Sequence, residues 1–512
     1  MVSTLLGVVV VAAFVRWLGY TGFFGSDEVT YIASAFRVLD GDWTVDDYVG
    51  ANRLGVNLPM AAFAALLGRN ELGAAASSLL CSLGEVLLVT WVAWRMAGQR
   101  AALCAGLLMA TLPTHVHFAG RIMADAPLAL TITAAFVLFY EAEARRWSTG
   151  FFLAGVCAGL SFWIKPVTLF VFSVLLAYPL LVRRFDPRWL WMVAGLLFAM
   201  AINGLLYLAL TGRFWFVFEN MQERRQSGYL EAGAAAGEIH SDAADYLVFL
   251  FGKIYHTGLL GYLAVAGALV LMRRRWSDHT KGAGQGALLA CWGLGMLLLL
   301  SLLPVSLRPL ILIPKQTNYM LMFLAPLCVL GGMALAQLKP VGAAVLLAVA
   351  CGVGVVFALA LQASVAVFTA NSMATLQFAR DHKETPLHVM SNAWRAALFE
   401  GLVSGGAATP VLSIEQALSE PARAAERLVV IDPETFAWDL SRPFPDAASV
   451  PACWQPVQTF QGQPTAVGVR FFQLLLAAAA ALPPSPRAAL LGPLQRLTQP
   501  RPAQLYRLPP GC

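Results

Sequence analysis

Residues 341–365 read VGAAVLLAVACGVGVVFALALQASV, twenty-five consecutive positions without Asp, Glu, Lys or Arg. A helix rises about 1.5 Å per residue, so about twenty apolar residues cross a hydrocarbon layer about 30 Å thick. Runs of this kind recur upstream at 2–20, 71–95, 101–119, 125–140, 150–164, 166–182, 189–210, 250–272, 285–303 and 319–337, eleven in all. Of the 512 residues 58% are hydrophobic and 12% charged, against about 25% charged in a soluble domain. Mean hydropathy is +0.67. These figures exclude a soluble enzyme, a disordered chain and a disulfide-built secreted domain, and they describe a multi-pass membrane protein. The net charge of +6 does not point to nucleic acid, because much of the basic charge lies in short loops between spans.

Basic residues in short loops mark the cytoplasmic side. With the N-terminus inside, inner loops hold Arg95, Arg100, Arg145, Arg146, Arg183, Arg184, Arg188, Arg273, Arg274, Arg275, Lys281 and Lys339, twelve in number. Short outer loops hold four: Arg121, Lys165, Arg308 and Lys315. The bias predicts a cytoplasmic N-terminus and an extracytoplasmic C-terminal segment in the cell inner (plasma) membrane. The first span lacks a basic leader and reads as a retained anchor. Residues 1–369 then form a transmembrane domain with outer loops 21–70 and 211–249, and 370–512 form a small outer α/β domain. Strands are expected at Leu387–Ser391 and Arg427–Ile431, and helices at 393–402 and 415–426. The Pro-rich tail (Pro483, Pro484, Pro486, Pro500, Pro502, Pro509 and Pro510) is expected to lie extended. Six cysteines fall in spans as packing residues. Cys453 and Cys512 reach the oxidising side, where a disulfide between them is an expectation that a free-thiol count checks.

Charges at membrane depth pose a functional question by default. The topology gathers Asp27, Glu28, Asp125, Lys165 and Lys315 at the outer boundary, although they span almost 300 residues of sequence. The first outer loop is acidic, with Asp27, Glu28, Asp40, Asp42, Asp46 and Asp47. Ile32, Phe36 and Leu39 recur there at helical spacing, which predicts a short amphipathic helix on the bilayer, started at Ser26 or Asp27 and stopped by Gly41. Each charge also has a plain structural reading. Asp27 and Asp125 suit helix starts, and Lys165, Lys315 and Arg308 suit side chains reaching for headgroups. Glu85 sits inside the second span and reads as paired within the bundle. His115 and His117 point to different faces of a helix and read as interfacial.

Several stretches carry a resemblance. Asp27-Glu28 with Tyr31, followed by Gly41-Asp42-Trp43, resembles the first outer loop of GT-C glycosyltransferases of the protein mannosyltransferase and aminoarabinose transferase superfamily. Arg121-Ile-Met-Ala-Asp125-Ala-Pro-Leu is similar to that family's entry into the fourth span. Gly155-Val-Cys-Ala-Gly159-Leu-Ser-Phe-Trp-Ile-Lys165-Pro is similar to its Gly-rich fifth span. Pro314-Lys315-Gln-Thr-Asn-Tyr319, with Pro326 beyond, is similar to its late Lys-containing loop. Two departures stand out. Asn57-Leu58-Pro59 occupies the place of the family's Lys-Pro-Pro, with Arg53 nearby, and Asn318 stands where the family often has Arg.

The resemblance implies a GT-C-like polytopic helical fold and an inverting transfer of one sugar from a polyprenyl-phosphate donor to an acceptor hydroxyl. The acceptor could be glycan, lipid or protein. Such chemistry needs a carboxylate to take the acceptor proton and positive charge to stabilise the departing lipid phosphate. Asp27 is the expected base, with Glu28 and Asp125 orienting it or the acceptor. Lys165, Lys315, Arg308 and Arg53 are the phosphate candidates, and Tyr31, Tyr319 and Arg121 the substrate contacts. No cofactor or metal ligand is expected. A divalent ion at Asp40-Gly41-Asp42 is the lesser alternative, because Asp-Gly-Asp is also an ordinary turn. Two rival functions stay open. One is a polysaccharide polymerase or ligase using a lipid-diphosphate donor, for which Arg213, Arg224 and Arg225 are available. The other is a lipid-sugar transporter or flippase, although the two similar halves typical of transporters are not visible.

Overall fold

The computed structural model describes residues 1–46, 48–226, 242–277, 283–307, 310–382, 387–404, 409, 411–414, 427–435 and 449–509. Asp47, Lys281, Arg308, the expected helix 415–426, Pro510 and Cys512 lie outside these residues, as do the side chains of Arg224, Arg225, Arg274 and Arg275. The apolar runs fold as helices whose ends are set by charge, glycine and proline. In chain order these are α1 Val2–Leu18, α2 Glu28–Leu39, α3 Leu54–Leu67, α4 Glu71–Ala97, α5 Gln99–Thr111, α6 Pro113–Ala119, α7 Asp125–Arg145, α8 Ser148–Ile164 and α9 Tyr178–Val182. They continue with α10 Leu190–Thr211, α11 Phe216–Gln226, α12 Leu260–Ser277, α13 Gly284–Leu302, α14 Leu321–Leu335 and α15 Pro340–Asp381. Beyond them lie α16 Ala393–Ser404, α17 Val467–Ala480 and α18 Pro484–Arg496. Among the described residues six helices are long and apolar enough to cross a membrane, or seven if the bent pair α5–α6 is one span.

Several runs depart from straight spans. The 101–119 run bends by 59° where Pro113 opens α6, as expected of a residue without an N–H. Residues Pro166–Ala177 wind as a 3-10 helix before α9, starting again at a proline. The run expected from 250 starts inside a π-helix, Val248–Gly252, and is broken by turns that include Gly258 at φ +58° before it resumes at Leu260. The stretch 21–70, expected as an outer loop, contains α3, an apolar helix hidden from a charge-based reading by its short length and by Pro59.

The chain divides into two compact units. Residues 1–17, 37–62 and 75–358 form the first, and 18–36, 63–74 and 359–512 form the second. In the first, α8 and α10 approach at backbone distance: a Cβ on Gly155 would sit 2.0 Å from Met192 O, and one on Gly195 2.0 Å from Phe152 O. Small residues at such crossings let helices pack by close contact where water supplies no drive. A polar string runs through the same unit. The buried Arg16 donates to Ser82 Oγ (2.7 Å) and approaches His115 Nδ1 at 2.7 Å. His115 Nε2 lies 2.9 Å from Glu85 Oε2, and Thr133 donates to Glu85 Oε1 (2.9 Å). Glu85 is therefore paired, as its depth predicted. His115, expected at the interface, is instead 2% exposed and is the bridge between Arg16 and Glu85.

The second unit contains a five-stranded mixed sheet. Its strands are β3 Leu387–Met390, β4 Val411–Ser413, β5 Arg427–Ile431, β6 Gln455–Phe460 and β7 Ala503–Leu508, ordered β4-β3-β5-β7-β6. A separate hairpin, β1 Pro304–Leu307 with β2 Leu310–Leu312, belongs to the first unit. Strands β4, β3 and β5 run parallel, while β7 is antiparallel to both neighbours. Val430 joins Val389 and Leu505 in one core, and Val429 and Ile431 pack with Trp454 in another. A sheet buried on both faces reads as a continuous apolar run, which explains why Leu387–Met390 and Arg427–Ile431 are legible. The tail is not extended. Pro484 opens α18 at the position where a missing N–H costs nothing, and residues 503–508 enter the middle of the sheet. Cys453 is disulfide-bonded.

Candidate functional site

In the first unit α7 and α8 are neighbours, and the start of α7 meets the end of α8. Asp125 is the first residue of α7, and no side chain caps that helix. Its carboxylate serves a tertiary contact instead: Oδ1 accepts from Lys165 Nζ at 2.5 Å and from Asn318 Nδ2 at 3.1 Å. Lys165 closes α8 in an extended conformation, and Pro166 prevents the helix from continuing. Each charge suits its own helix, an anion at an N-terminus and a cation at a C-terminus. Asp125 is 1% exposed and Lys165 6%, so the lysine does not reach for headgroups. Its ammonium also lies 5.0 Å from the centre of the Tyr319 ring. Asp125 Oδ2 is buried and has no hydrogen-bond partner among the described residues. A buried acceptor left open in this way needs an explanation, and a substrate hydroxyl is the kind of donor it fits.

Lys315 follows the β1–β2 hairpin and precedes Asn318 by three residues. It is buried, its ring neighbour is Tyr246 at 5.9 Å, and among the described residues its only hydrogen bond goes to Ile313 O at 2.8 Å. Two of its three protons are therefore uncommitted. Burial lowers its pKa below the usual lysine range, opposed by the nearby Asp245 and Asp242. Lys165 is in a direct ion pair with Asp125, whereas among the described residues Lys315 feels Asp245 and Asp242 only at longer range, which makes Lys315 the better-placed cation for an anionic ligand.

Arg53, half-buried, lines a cleft with Asn52, Trp163, Pro166, Asn203, Tyr207 and Asn220. This cleft shares Phe162, Asn203 and Val217 with an apolar cavity of about 270 Å³. The cavity lies against α10 and is walled by Leu197, Met200, Phe214, Trp215 and Phe218. Arg121 is 7% exposed, with its guanidinium 5.9 Å from the Phe118 ring. Asn57, in the place of the family's basic residue, is buried and donates to Ala51 O at 2.6 Å.

The second unit holds the first-loop candidates. Asp27 is half-buried in the turn before α2, and its carbonyl accepts from Tyr31 N–H. Glu28 is fully buried. Its Oε2 accepts from Gly25 N (3.1 Å), Ser26 N (2.8 Å) and Ser26 Oγ (3.2 Å), so this carboxylate shapes the turn that carries Asp27. Tyr31 is fully buried on α2. The turn is held from outside by the α/β fold: Arg395 donates to Gly25 O at 2.9 Å, Phe23 stacks on Phe399 and Phe24 on Phe368. Gly25 has φ +89° and its Cα faces Asn392, where only glycine is unstrained.

Asn318, Asn392 and Arg395 were not among the expected site residues. Only Asn318 left a trace in the sequence, as the departure from Arg beside an aromatic residue. Among the described residues no group of three His, Cys, Asp or Glu could hold a metal ion. Asp42 Oδ1 instead accepts from Thr44 N at 2.9 Å, beside Gly41 at φ +79°. That backbone bond holds the Asp42 carboxyl below its ordinary pKa, and the geometry is that of a turn.

Residues 42–219 match the family model of dolichyl-phosphate-mannose-protein mannosyltransferases. No curated protein sequence matches the chain. Among solved structures, ArnT from Cupriavidus metallidurans bound to undecaprenyl phosphate superposes with a TM-score of 0.52 at 17% identity, covering 85% of this chain and 94% of that one. Apo ArnT from the same organism gives 0.54 at 16% identity, with 89% and 96% covered. The apo oligosaccharyltransferase of Archaeoglobus fulgidus gives 0.51 at 12% identity, with 84% and 70% covered. At these identities the superpositions speak for the fold alone, and the family match speaks for residues 42–219. Together they give this chain a helical GT-C-like fold, with a region similar to protein mannosyltransferases at residues 42–219.

Proposed function

We propose that the protein transfers a single sugar from a polyprenyl-phosphate donor to an acceptor hydroxyl on the extracytoplasmic face, with inversion. The observation that carries this reading is the pairing of opposite needs at one end of the first unit. A buried carboxylate oxygen there lacks a donor (Asp125 Oδ2), and a buried ammonium holds protons to give (Lys315). An apolar cavity beside a polar cleft suits a lipid with an anionic head. That ArnT, of like fold, is bound to undecaprenyl phosphate supports the same class of ligand.

In the proposed reaction Asp27 takes the acceptor proton as the hydroxyl oxygen attacks the anomeric carbon. The bond from that carbon to the phosphate oxygen breaks, and polyprenyl phosphate leaves with the electron pair. Asp125 orients the acceptor. Lys315, with Lys165 and Arg53, stabilises the charge that grows on the phosphate, where positioned cations matter most. Tyr319 and Arg121 line the substrate path, and Glu28 and Tyr31 keep Asp27 in place. The lipid-diphosphate alternative relied on loop arginines, yet Arg213 is engaged by Glu219 at 3.3 Å.

The test is the lipid product of the purified protein. Polyprenyl monophosphate is expected; polyprenyl diphosphate would select the polymerase or ligase, and unchanged lipid would select a transporter. Asp27→Asn is expected to abolish turnover while the protein still folds and binds donor lipid, read by mass spectrometry of copurifying lipids. Normal turnover in that variant removes Asp27 from the mechanism.

A further inference from the structure

The stretch between β6 and β7 is an excursion from the sheet. It leaves and returns at one place: Asn371 Oδ1 accepts from Gly462 N at 2.9 Å, and Asn371 Nδ2 donates to Arg501 O at 2.8 Å. Between these anchors the chain follows α15. Gly462 lies against Ala370 O, and Gly468 lies against Leu359 O, with its N–H donating to Gln362 Oε1 at 2.8 Å. The outgoing segment thus moves eleven residues back along α15, about 16 Å at helical rise, as far as the first turn of α17. Leu359 itself lies nineteen residues from Pro340, the start of α15, or about 28 Å, close to one hydrocarbon thickness of about 30 Å. If α15 enters the bilayer at Pro340, just after Lys339, the contact of Gly468 with Leu359 falls at the opposite headgroup boundary.

The composition of the excursion fits that level. Helix α17 buries Gly468, Val469, Phe472 and Ala479 on one side and leaves Leu474 72% exposed. Helix α18 buries nothing at all, and Leu490 is 44% exposed. A thirteen-residue helix with no buried side chain has little to hold it in water, since helices this short are marginal without packing. Residues 461–501 contain four arginines (470, 487, 496 and 501) and no Asp or Glu; Arg501 pairs with Glu434 at 3.1 Å, so the charge offered to lipid is that of Arg470, Arg487 and Arg496. An apolar face with purely basic charge is the signature of a segment lying in an anionic lipid interface.

We infer that the α17–α18 hairpin is a membrane-docking element, inserted in the headgroup region of the leaflet reached by Leu359 and attracted there by anionic phospholipid. This stands independently of the donor and acceptor chemistry, so its failure would leave the transferase reading untouched. The full-length protein, reconstituted in liposomes with and without phosphatidylglycerol, carries a nitroxide at Leu474→Cys or Leu490→Cys, with unsubstituted protein as the labelling background. Collisions with oxygen and with a neutral nickel chelate are compared with two references. Val345→Cys lies on an exposed face of α15 and Val457→Cys on the exposed strand β6. The expected result is an oxygen-to-nickel ratio several-fold above that at Val457 and close to that at Val345, falling when phosphatidylglycerol is replaced by phosphatidylcholine. A ratio equal to that at Val457 overturns the inference, because the hairpin then stands in water. Exclusion of both quenchers overturns it as well, because a protein surface then covers the face. A ratio indifferent to anionic lipid overturns the role given to the arginines.

Discussion

Asp125 and Lys165 show how a membrane changes the value of a contact. Two buried ions 2.5 Å apart lose hydration on both sides, so the pair itself adds little stability, but removing one partner strands the other. Asp125→Ala is expected to lower stability by about 3–5 kcal/mol, the range for a buried charge left unpaired. Asp125→Asn, which keeps an acceptor for Asn318, should cost less. Thermal unfolding in detergent or nanodiscs reads both, and a loss for Asp125→Ala no larger than that of a surface substitution, about 0.5 kcal/mol, would refute the pairing. Lys315 makes a different prediction. Because burial lowers its pKa, its proton leaves at a pH below the ordinary lysine range, and an anionic donor is held only while the proton is present. The donor KM should therefore rise with pH through that lowered value. In Lys315→Arg the rise should vanish from the accessible range, since guanidinium stays charged beyond about pH 12. Coincident pH profiles for the two proteins would remove Lys315 from phosphate binding.

At the scale of elements, the Gly-rich run Gly155–Gly159 has a mechanical reason. The α8–α10 crossing is so close that the obstacle to a Cβ on Gly155 is Met192 backbone rather than a yielding side chain. Gly155→Ala is expected to force the helices apart and cost roughly 1–3 kcal/mol, the usual range for overpacking, with a matching loss of folded yield. Gly7, which has nothing within 4 Å of the same added atom, should tolerate alanine and serves as the control. This also marks what was legible beforehand. Apolar length and flanking charge disclosed the spanning runs, and the helix from Glu28 to Leu39 could be read from Ile32, Phe36 and Gly41. Breaks within runs were harder, because the bend before Pro113 and the 3-10 stretch after Pro166 depend on where freed carbonyls find partners. The α/β unit was half legible. Val389 and Val430 announce buried strands, whereas β7 hides among prolines, since Pro500 and Pro502 end just before Ala503. Among site residues, the charges declared themselves by being expensive in lipid. Asn318, Asn392 and Arg395 did not, because an amide or a surface arginine acquires its role only from the residue it meets.

For the whole molecule the open question is sidedness, and the first unit offers a ruler. Helix α7 is 21 residues long, about 30 Å at helical rise, with Asp125 at one end and Glu141, Glu143 and Arg145 at the other. The second end gathers many of the arginines that the loop count assigned to the cytoplasm. Glu141 accepts from Arg95 at 2.6 Å and from Arg145 at 3.0 Å, Glu143 pairs with Arg184, and Arg188 pairs with Asp186 at 2.5 Å while donating to Arg146 O. These acids do not cancel the topological signal, which depends on Lys and Arg and barely on Asp and Glu. The Arg-rich end should therefore face the cytoplasm and the Asp125 end the opposite compartment, as transfer from an exoplasmic lipid donor requires. Single cysteines report this directly. Ala144→Cys, on the exposed surface beside Arg145, should react with an impermeant maleimide only after the cells are opened, and Trp43→Cys, 44% exposed in the first outer loop, should react in intact cells. Native thiols set the background, measured on the unsubstituted protein. The reverse pattern would place Asp125, Lys165 and Lys315 on the cytoplasmic side, where the donor's sugar would have to be presented in the other leaflet, and the proposed direction of transfer would have to be abandoned.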